Sequence, residues 1–151
     1  MRNLLFLNAN GKKKIVYPVF TAAQAKSRPF AKGEDEHGEF IACRLNNHWG
    51  AQLYGWYMLV SPDDFQFVKR YNWCGNICGD SDSQHIAVRR RESINGQQHD
   101  VLLNHDIWKR YTGTSADVIH RIRHPLDFRR NNLSLPAIVI RKQENQASQV
   151  L

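Results

Sequence analysis

The sequence lacks any long hydrophobic run, and this absence excludes one large class of proteins. No apolar stretch approaches the ~18 residues that a membrane-spanning helix needs. The opening segment MRNLLFLNANGKKK has too short an apolar part for a signal peptide, and no small-residue cleavage site follows it. We therefore expect no membrane association and a cytoplasmic location.

Cysteine is also scarce, and the residues present form no regular framework. The chain has three cysteines, Cys43, Cys74 and Cys78. An odd number without a regular spacing suits a protein of a reducing compartment. Cys74 and Cys78 are separated by three residues, and His48 or His85 could complete a zinc site with Cys43. Structural zinc sites usually show two tighter pairs, however. We favour buried or incidental thiols and do not expect zinc.

Acidic residues are outnumbered, with 14 Asp and Glu against 21 Lys and Arg, which gives a net charge of +7. Many basic residues stand in clusters, and such clusters favour a polyanionic partner because each phosphate that is neutralised releases counterions. The alternative is a solvated basic surface, and composition alone does not separate the two. The clusters comprise residues 12–14, Arg89, Arg90 and Arg91, residues 109–110, Arg121 with Arg123, and Arg129 with Arg130.

What the chain does have is enough apolar surface for one domain, with 42% hydrophobic and 11% aromatic residues among 151. Asn-Gly pairs between apolar segments predict two β-hairpins, and further β-branched or aromatic runs predict more strands. We expect an α+β fold. The hairpins are predicted over residues 2–20 and 86–103, and the other strands over 40–45, 51–60 and 116–122.

Capping signals and breakers predict short helices separated by loops. Ser61-Pro62 followed by two acids is typical of a helix start, and Asn104 or Asp106 is expected to open a helix that ends near Gly113. The helices are predicted over residues 21–28, 61–72, 104–113 and 138–146, although IVIR at 138–141 could also be a strand. Polar, glycine-containing stretches predict loops over residues 31–39 and 74–83.

Five segments of the chain follow one another in an order that resembles the HNH nucleases of phages and mobile introns. They are MLVSPDDFQFVKRYNW (58–73), IAVRRR (86–91), LNHDIW (103–108), VIHRIRHPLDFRRNNL (118–133) and KQENQAS (142–148). The resemblance covers about residues 57–148. It leaves residues 1–56 as an N-terminal, mostly β extension, which we expect to form one compact unit with the HNH-like domain. A DNA contact through residues 12–14 of this extension is a hypothesis from charge alone.

The resemblance implies a ββα-metal core, in which a hairpin and a helix surround one divalent cation, here Mg²⁺ or Mn²⁺. Phosphodiester hydrolysis needs a base that activates water and a cation that neutralises the phosphate. By the resemblance, His120 matches the base and Asn132 matches an asparagine that braces the loop through its backbone. Asn145 matches the metal ligand on the following helix. The implied function is a DNA endonuclease or nickase encoded by a phage or mobile element.

One position departs from the family's pattern. Where the family has an aspartate that ligates the metal, this chain has Ile119, and an aliphatic side chain cannot coordinate magnesium. If residues 116–122 form a strand, Asp117 shares the face of Ile119 and could reach the ion through a water. Asp127 or His124 are the other candidate donors, and Asp127 is also expected to cap the turn.

The altered motif leaves two hypotheses about function open. In the first, the chain is an active nuclease, and arginines beside the motif contact phosphates; their alternative role is simple solvent exposure. In the second, hydrolysis is lost and the HNH-like scaffold binds DNA or a host protein, for example a host nuclease or defence complex. The arginines assigned to nucleic acid are Arg121, Arg123, Arg129 and Arg130, together with Arg89, Arg90 and Arg91.

Overall fold

A computed structural model describes residues 18–46, 52–79 and 85–135, and the backbone of residues 4–7 and 13–16. The fold is mixed α+β, as predicted. In chain order the elements are β1 (Leu4–Leu7), β2 (Lys13–Val16), α1 (Ala22–Ala25), β3 (Phe30–Asp35), β4 (Gly38–Arg44), β5 (Tyr57–Val60), α2 (Phe65–Val68), β6 (Cys74–Cys78), β7 (His85–Ile94), β8 (Gln97–Leu102), α3 (Leu103–Thr112), β9 (His120–Arg121) and β10 (Leu133–Ser134). Short 3-10 helices lie at Pro62–Asp64 and Arg130–Asn132.

The strands form antiparallel sheets, and the pairing of both predicted hairpins is confirmed; the first Asn-Gly turn, at residues 10–11, lies outside the described residues. β1 pairs with β2, and β7 pairs with β8. In the second hairpin, Asn95 and Gly96 have φ angles of 52° and 78°, which is typical of a type I′ turn. Two three-stranded sheets, β3-β4-β5 and β6-β7-β8, contain most of the strand residues of the described chain, and β9 pairs with β10.

The predicted loop over residues 31–39 is wrong, since this stretch forms most of the β3–β4 hairpin. Its charged side chains are exposed, so the sequence resembles a loop, while Ala31 and Phe40 are buried. The ring of Phe40 lies over Gly33, where any Cβ would collide with it. Glycine here therefore permits close packing within the hairpin and does not mark a break in the strand.

The second predicted loop and several predicted boundaries also differ, and the strand predicted over 51–60 begins only at Tyr57. Residues 74–78 form strand β6, where a Cβ on Gly75 would lie 2.8 Å from Leu45. The helix predicted over 61–72 is a 3-10 turn followed by α2, and it ends at Val68. The strand predicted over 116–122 is reduced to His120–Arg121. The helix at 104–113 is confirmed as α3, whereas the helix predicted over 21–28 is shorter, since α1 ends at Ala25 and Lys26 adopts a left-handed conformation. The prediction for 138–146 lies outside the described residues.

The core is organised around β5, whose residues are all buried. Met58 and Val60 point into the larger hydrophobic cluster, and Tyr57 and Leu59 point into a second cluster on the other face. Because β5 pairs with β4, the sheet crosses the predicted boundary between residues 56 and 57, and the two regions share one core. Within the described chain, no helix has the length and apolarity to cross a membrane.

Candidate functional site

The HNH-like motif forms a loop between two short paired strands. Ser134 lies opposite His120 and Leu133 opposite Arg121, so residues 122–132 make a closed loop, called here the motif loop. The loop is fixed to the central sheet as well. The amide of Leu59 donates to the carbonyl of Leu126 at 2.9 Å, and the amide of Phe128 donates to the carbonyl of Leu59 at 2.7 Å.

Asn132 braces the motif loop from inside. Its side chain is fully buried, and Oδ1 accepts a hydrogen bond from the backbone N–H of Arg123 at 2.7 Å. Nδ2 donates to the carbonyl of Asp127 at 2.7 Å and to that of His124 at 3.5 Å. Only an amide supplies an acceptor and two donors at one position. The bracing contacts expected for Asn132 are therefore confirmed.

His120 and Ile119 lie in different environments. His120 is exposed at the start of β9, so water or a phosphate can reach its imidazole. Ile119 is only 7% exposed and belongs to the larger hydrophobic cluster. Its carbonyl accepts a hydrogen bond from Nδ2 of Asn104 at 3.4 Å, which ties this point of the chain to α3. Ile119 is thus a core residue beside an exposed histidine.

Asp117 does not share a face with Ile119, contrary to the prediction. The strand begins only at His120, so the alternation of side chains does not extend back to Asp117, which is exposed. It lies at a groove of about 500 Å³ whose wall includes Trp108. The negative charge of Asp117 also acts on His105. Burial lowers the pKa of His105, and Asp117 partly opposes this shift.

No group of three or more His, Cys, Asp or Glu lies close enough together in the described ranges to hold an ion. The carboxylate of Asp127 is occupied by arginines, and Nδ1 of His124 accepts from the amide of Leu126 at 3.0 Å. Asn145 lies outside the described residues, so its role as a ligand stays a prediction. Burial raises the pKa of Cys43 to about 12, so this thiol is protonated within the core.

Arg129 is the centre of a buried ion-pair network and is 2% exposed. Its guanidinium donates to Asp127 at 2.8 and 2.9 Å and to Asp35 at 2.7 and 2.9 Å. Hydrogen bonds from Arg129 lower the pKa of Asp35 to about 2. For Asp127, burial raises the pKa, but the hydrogen bonds and charge of Arg129 outweigh it, so the net shift is downward. A phosphate contact by Arg129 does not fit this position, and we assign it a structural role.

The other arginines of the motif also contact protein groups. Arg130 donates to Asp64 at 2.8 Å, and Arg123 donates to Asp127 at 3.2 Å. Arg121 donates to the carbonyl of Ile86 at 2.7 Å, and burial lowers its pKa to about 10. These contacts compete with phosphate binding, which stays a prediction for Arg121, Arg123 and Arg130. These arginines are not free in solvent either, although simple solvent exposure is the alternative role expected for arginines beside the motif.

The three consecutive arginines of β7 differ in how deeply their side chains are buried. Arg90 is 8% exposed, with its guanidinium 3.9 Å above the ring of Tyr71 and 3.6 Å from the carboxylate of Asp106. Arg89 and Arg91 leave 40% and 71% of their side chains exposed. Direct phosphate contact therefore does not fit Arg90, whereas Arg89 and Arg91 remain available for it.

Comparisons of the chain with protein-family models, with curated proteins and with solved structures returned no match. The site presents an exposed imidazole on a loop that is braced at Asn132 and fastened to a sheet. Histidine is the side chain that most often serves as a general acid or base, and the exposure of this imidazole leaves it accessible to a bound substrate.

The ion pair between Asp35 and Arg129 predicts a loss of stability in acid. The unfolded carboxyl titrates near 3.8, and the folded one near 2, so the pair stabilises the folded state fully above pH 3.8. This contribution is lost as the pH falls from 3.8 through about 2. Urea unfolding of the wild type and of Asp35→Asn between pH 6 and pH 2 measures it. We expect the two midpoints to converge at low pH, and a constant gap would contradict the assignment.

Proposed function

We propose that this chain is an HNH-type DNA endonuclease or nickase in which His120 is the general base. The observation that supports this most is the motif loop, where buried Asn132 braces the backbone of Arg123 and Asp127 between the paired strands β9 and β10. The order of the five sequence segments gives the same assignment to these residues. A phage or mobile element as the source belongs to the same proposal.

The proposed chemistry is hydrolysis of a phosphodiester bond. The imidazole of His120 accepts a proton from water as the water oxygen bonds to phosphorus, and the bond from phosphorus to the leaving 3′-oxygen breaks. Since His120 is exposed, both water and the DNA backbone can reach it. Mg²⁺ or Mn²⁺ would neutralise phosphate charge in such a reaction. The described residues do not complete a site for the ion, so no step is assigned to it.

Incubation of supercoiled plasmid with the protein and Mg²⁺ or Mn²⁺ tests the proposal. We expect nicked or linear product, and we expect His120→Ala to lower the rate by about 10²–10⁴-fold because the base is lost. His85→Ala is the matched control, since His85 is an exposed histidine at the start of β7, outside the motif loop. It should cut like the wild type. No cleavage by the wild type, or equal cleavage by His120→Ala, contradicts the proposal.

A second candidate function is a scaffold that binds DNA or a host protein without hydrolysis. The observation that favours it is the burial of Ile119, because the position beside His120 serves the core and offers no oxygen to a metal. This function predicts salt-sensitive DNA binding that is unchanged by EDTA. Tight Mg²⁺ or Mn²⁺ binding in calorimetry would count against it.

The burial of Ile119 also predicts how an aspartate at this position would change the stability of the protein. We expect Ile119→Asp to lower the free energy of unfolding by about 2–4 kcal/mol, because a carboxyl group enters an apolar cluster. Ile119→Val is the matched control and should cost about 1 kcal/mol. Urea unfolding measures both. A stable Ile119→Asp protein with raised cleavage would instead place this side chain at the reaction centre.

A further inference from the structure

The hairpin of β7 and β8 extends beyond its sheet. β6 pairs with β7 only as far as Arg89, whereas β7 and β8 remain paired up to Ile94 opposite Gln97. No third strand of the described chain pairs with residues 91–100, called here the β7–β8 ribbon. Glu92 is half-buried, and every other residue of the ribbon is exposed. The ribbon therefore stands free of the core on both of its faces.

The dimensions of this ribbon suit the major groove of duplex DNA. The paired part of the ribbon runs from Arg91 opposite Asp100 to Ile94 opposite Gln97. At about 3.3 Å per residue, the length of the ribbon from this base to the tip of the turn is ~13 Å. The major groove is about 12 Å wide and ~8.5 Å deep, and it admits a two-stranded ribbon. The type I′ turn at Asn95 keeps the tip narrow.

The side chains of the ribbon are of the kinds that read base edges. Cross-strand partners share a face, so Ser93 and Gln98 lie on one face, and Ile94 and Gln97 lie on the other. A glutamine amide can donate and accept at once, which matches adenine, and an apolar side chain matches the methyl group of thymine. Ile94 is 48% exposed at the tip, where it has no core to join.

Charge at the base of the ribbon also fits a nucleic acid. Arg89 and Arg91 share Asp100, at 3.1 and 3.8 Å, and such exposed ion pairs are weak enough for phosphates to replace them. Arg90, which lies between Arg89 and Arg91 in the sequence, is buried and stacks on Tyr71. It therefore anchors the base of the ribbon and does not contact phosphates. The whole chain carries a net charge of +7, which attracts DNA over longer distances.

We propose that the β7–β8 ribbon recognises DNA sequence by entering the major groove of duplex DNA. The ribbon enters tip first, so that Ser93 and Gln98 on one face and Gln97 on the other approach base edges, while Arg89 and Arg91 contact the flanking phosphates. The inference rests on DNA being the partner, as in the proposed function, and it assigns sequence recognition to an element separate from the motif loop. Phosphate contacts position such an element, and base contacts specify the site.

A shortened ribbon tests this assignment. Deleting Ser93, Ile94, Gln97 and Gln98 removes two residues from each strand, so the alternation of side chains is kept and Asn95-Gly96 still closes the hairpin. The wild type and the variant are each mixed with a pool of short duplexes of randomised sequence, and the bound fraction is sequenced. We expect the wild type to enrich a motif and the variant to lose it. Affinity for the motif duplex should fall by about 10- to 100-fold, with a far smaller change for mixed DNA.

Point variants test the same assignment without shortening the hairpin, so that a loss of binding can be separated from a loss of folding. Gln97→Ala and Gln98→Ala should each weaken the motif, whereas Gln66→Ala, which removes an exposed amide from α2, should leave it unchanged. Circular dichroism melts check that every variant is folded. Methyl green, which occupies the major groove, should displace the wild type more readily than netropsin, which occupies the minor groove.

The outcomes separate this inference from the proposed function. If the wild type enriches no motif, if the shortened variant enriches the same motif, or if netropsin competes better, the role of the ribbon is overturned. Plasmid cleavage that depends on His120 would then still support the nuclease. A ribbon-dependent motif in a protein that cuts nothing supports the ribbon and overturns the nuclease.

Discussion

Replacing Asp127 with alanine is expected to lower the free energy of unfolding by about 3–5 kcal/mol. The carboxylate is 2% exposed and accepts hydrogen bonds from the guanidinium groups of Arg129 and Arg123 and from the backbone N–H of Arg129. Without it, Asp35 is the one carboxylate among the described residues that still pairs with the buried guanidinium of Arg129, which also donates to the carbonyl of Gly38 at 3.1 Å. Removing one member of a buried ion pair costs more than the pair contributes, because the remaining charge stays out of water.

Urea unfolding followed by tryptophan fluorescence measures this loss. Asp63→Ala is the matched control, since Asp63 also faces an arginine, Arg130 at 3.7 Å, but its side chain is 82% exposed. An exposed pair of this kind contributes about 0–1 kcal/mol. Equal destabilisation by Asp63→Ala and Asp127→Ala would contradict the role given to burial.

Asn132→Ala is expected to destabilise the fold by about 2–4 kcal/mol and to lower cleavage even at temperatures where the protein is folded. The substitution leaves the buried N–H of Arg123 and the carbonyl of Asp127 without their partner, and each unsatisfied group costs about 1–3 kcal/mol. The loop that Asn132 braces begins one residue after β9, the strand that holds His120. Loss of the brace should therefore disturb the position of the imidazole.

The neighbouring asparagine provides the control. Asn131 is exposed and donates to the carbonyl of His37 at 2.8 Å, so Asn131→Ala should cost less than about 1 kcal/mol. Asn132→Asp keeps the acceptor for Arg123 but loses the donor to Asp127, and we expect an intermediate loss. Thermal melts and plasmid cleavage at a temperature well below each midpoint measure the two effects separately. Full cleavage by folded Asn132→Ala would show that the brace does not position His120.

The features that could be predicted from the sequence are those set by local chemistry. The hairpin at Asn95-Gly96 was predictable because a type I′ turn needs positive φ at two adjacent residues, which this pair tolerates. The end of α3 at Gly113 follows from the same conformational freedom, with a φ of 76°. The bracing contacts of Asn132 follow from the motif, since all of its partners lie within nine residues.

The features that could not be predicted depend on contacts between distant residues. Asp35 and Arg129 are 94 positions apart, and nothing near either residue indicates the other. The acidic hairpin that carries Asp35 was interpreted as a loop, so its carboxylate had no expected partner. The exposed position of Asp117 was missed for a different reason, because the strand predicted there begins only at His120 and the alternation of side chains stops.

The motif loop is attached to β5, and through this strand it depends on the N-terminal part of the chain. Leu59 holds the loop by two backbone hydrogen bonds, and β5 is in turn held by β4, which belongs to the N-terminal part of the sequence. Asp35, from the same part, neutralises Arg129. A fragment that starts at residue 57 would carry every recognisable piece of the motif, yet it would lose the strand and the carboxylate that hold the motif in place. The segment that resembles the HNH motif therefore depends on the β3–β4 hairpin, which supplies the strand that pairs with β5 and the carboxylate that neutralises Arg129.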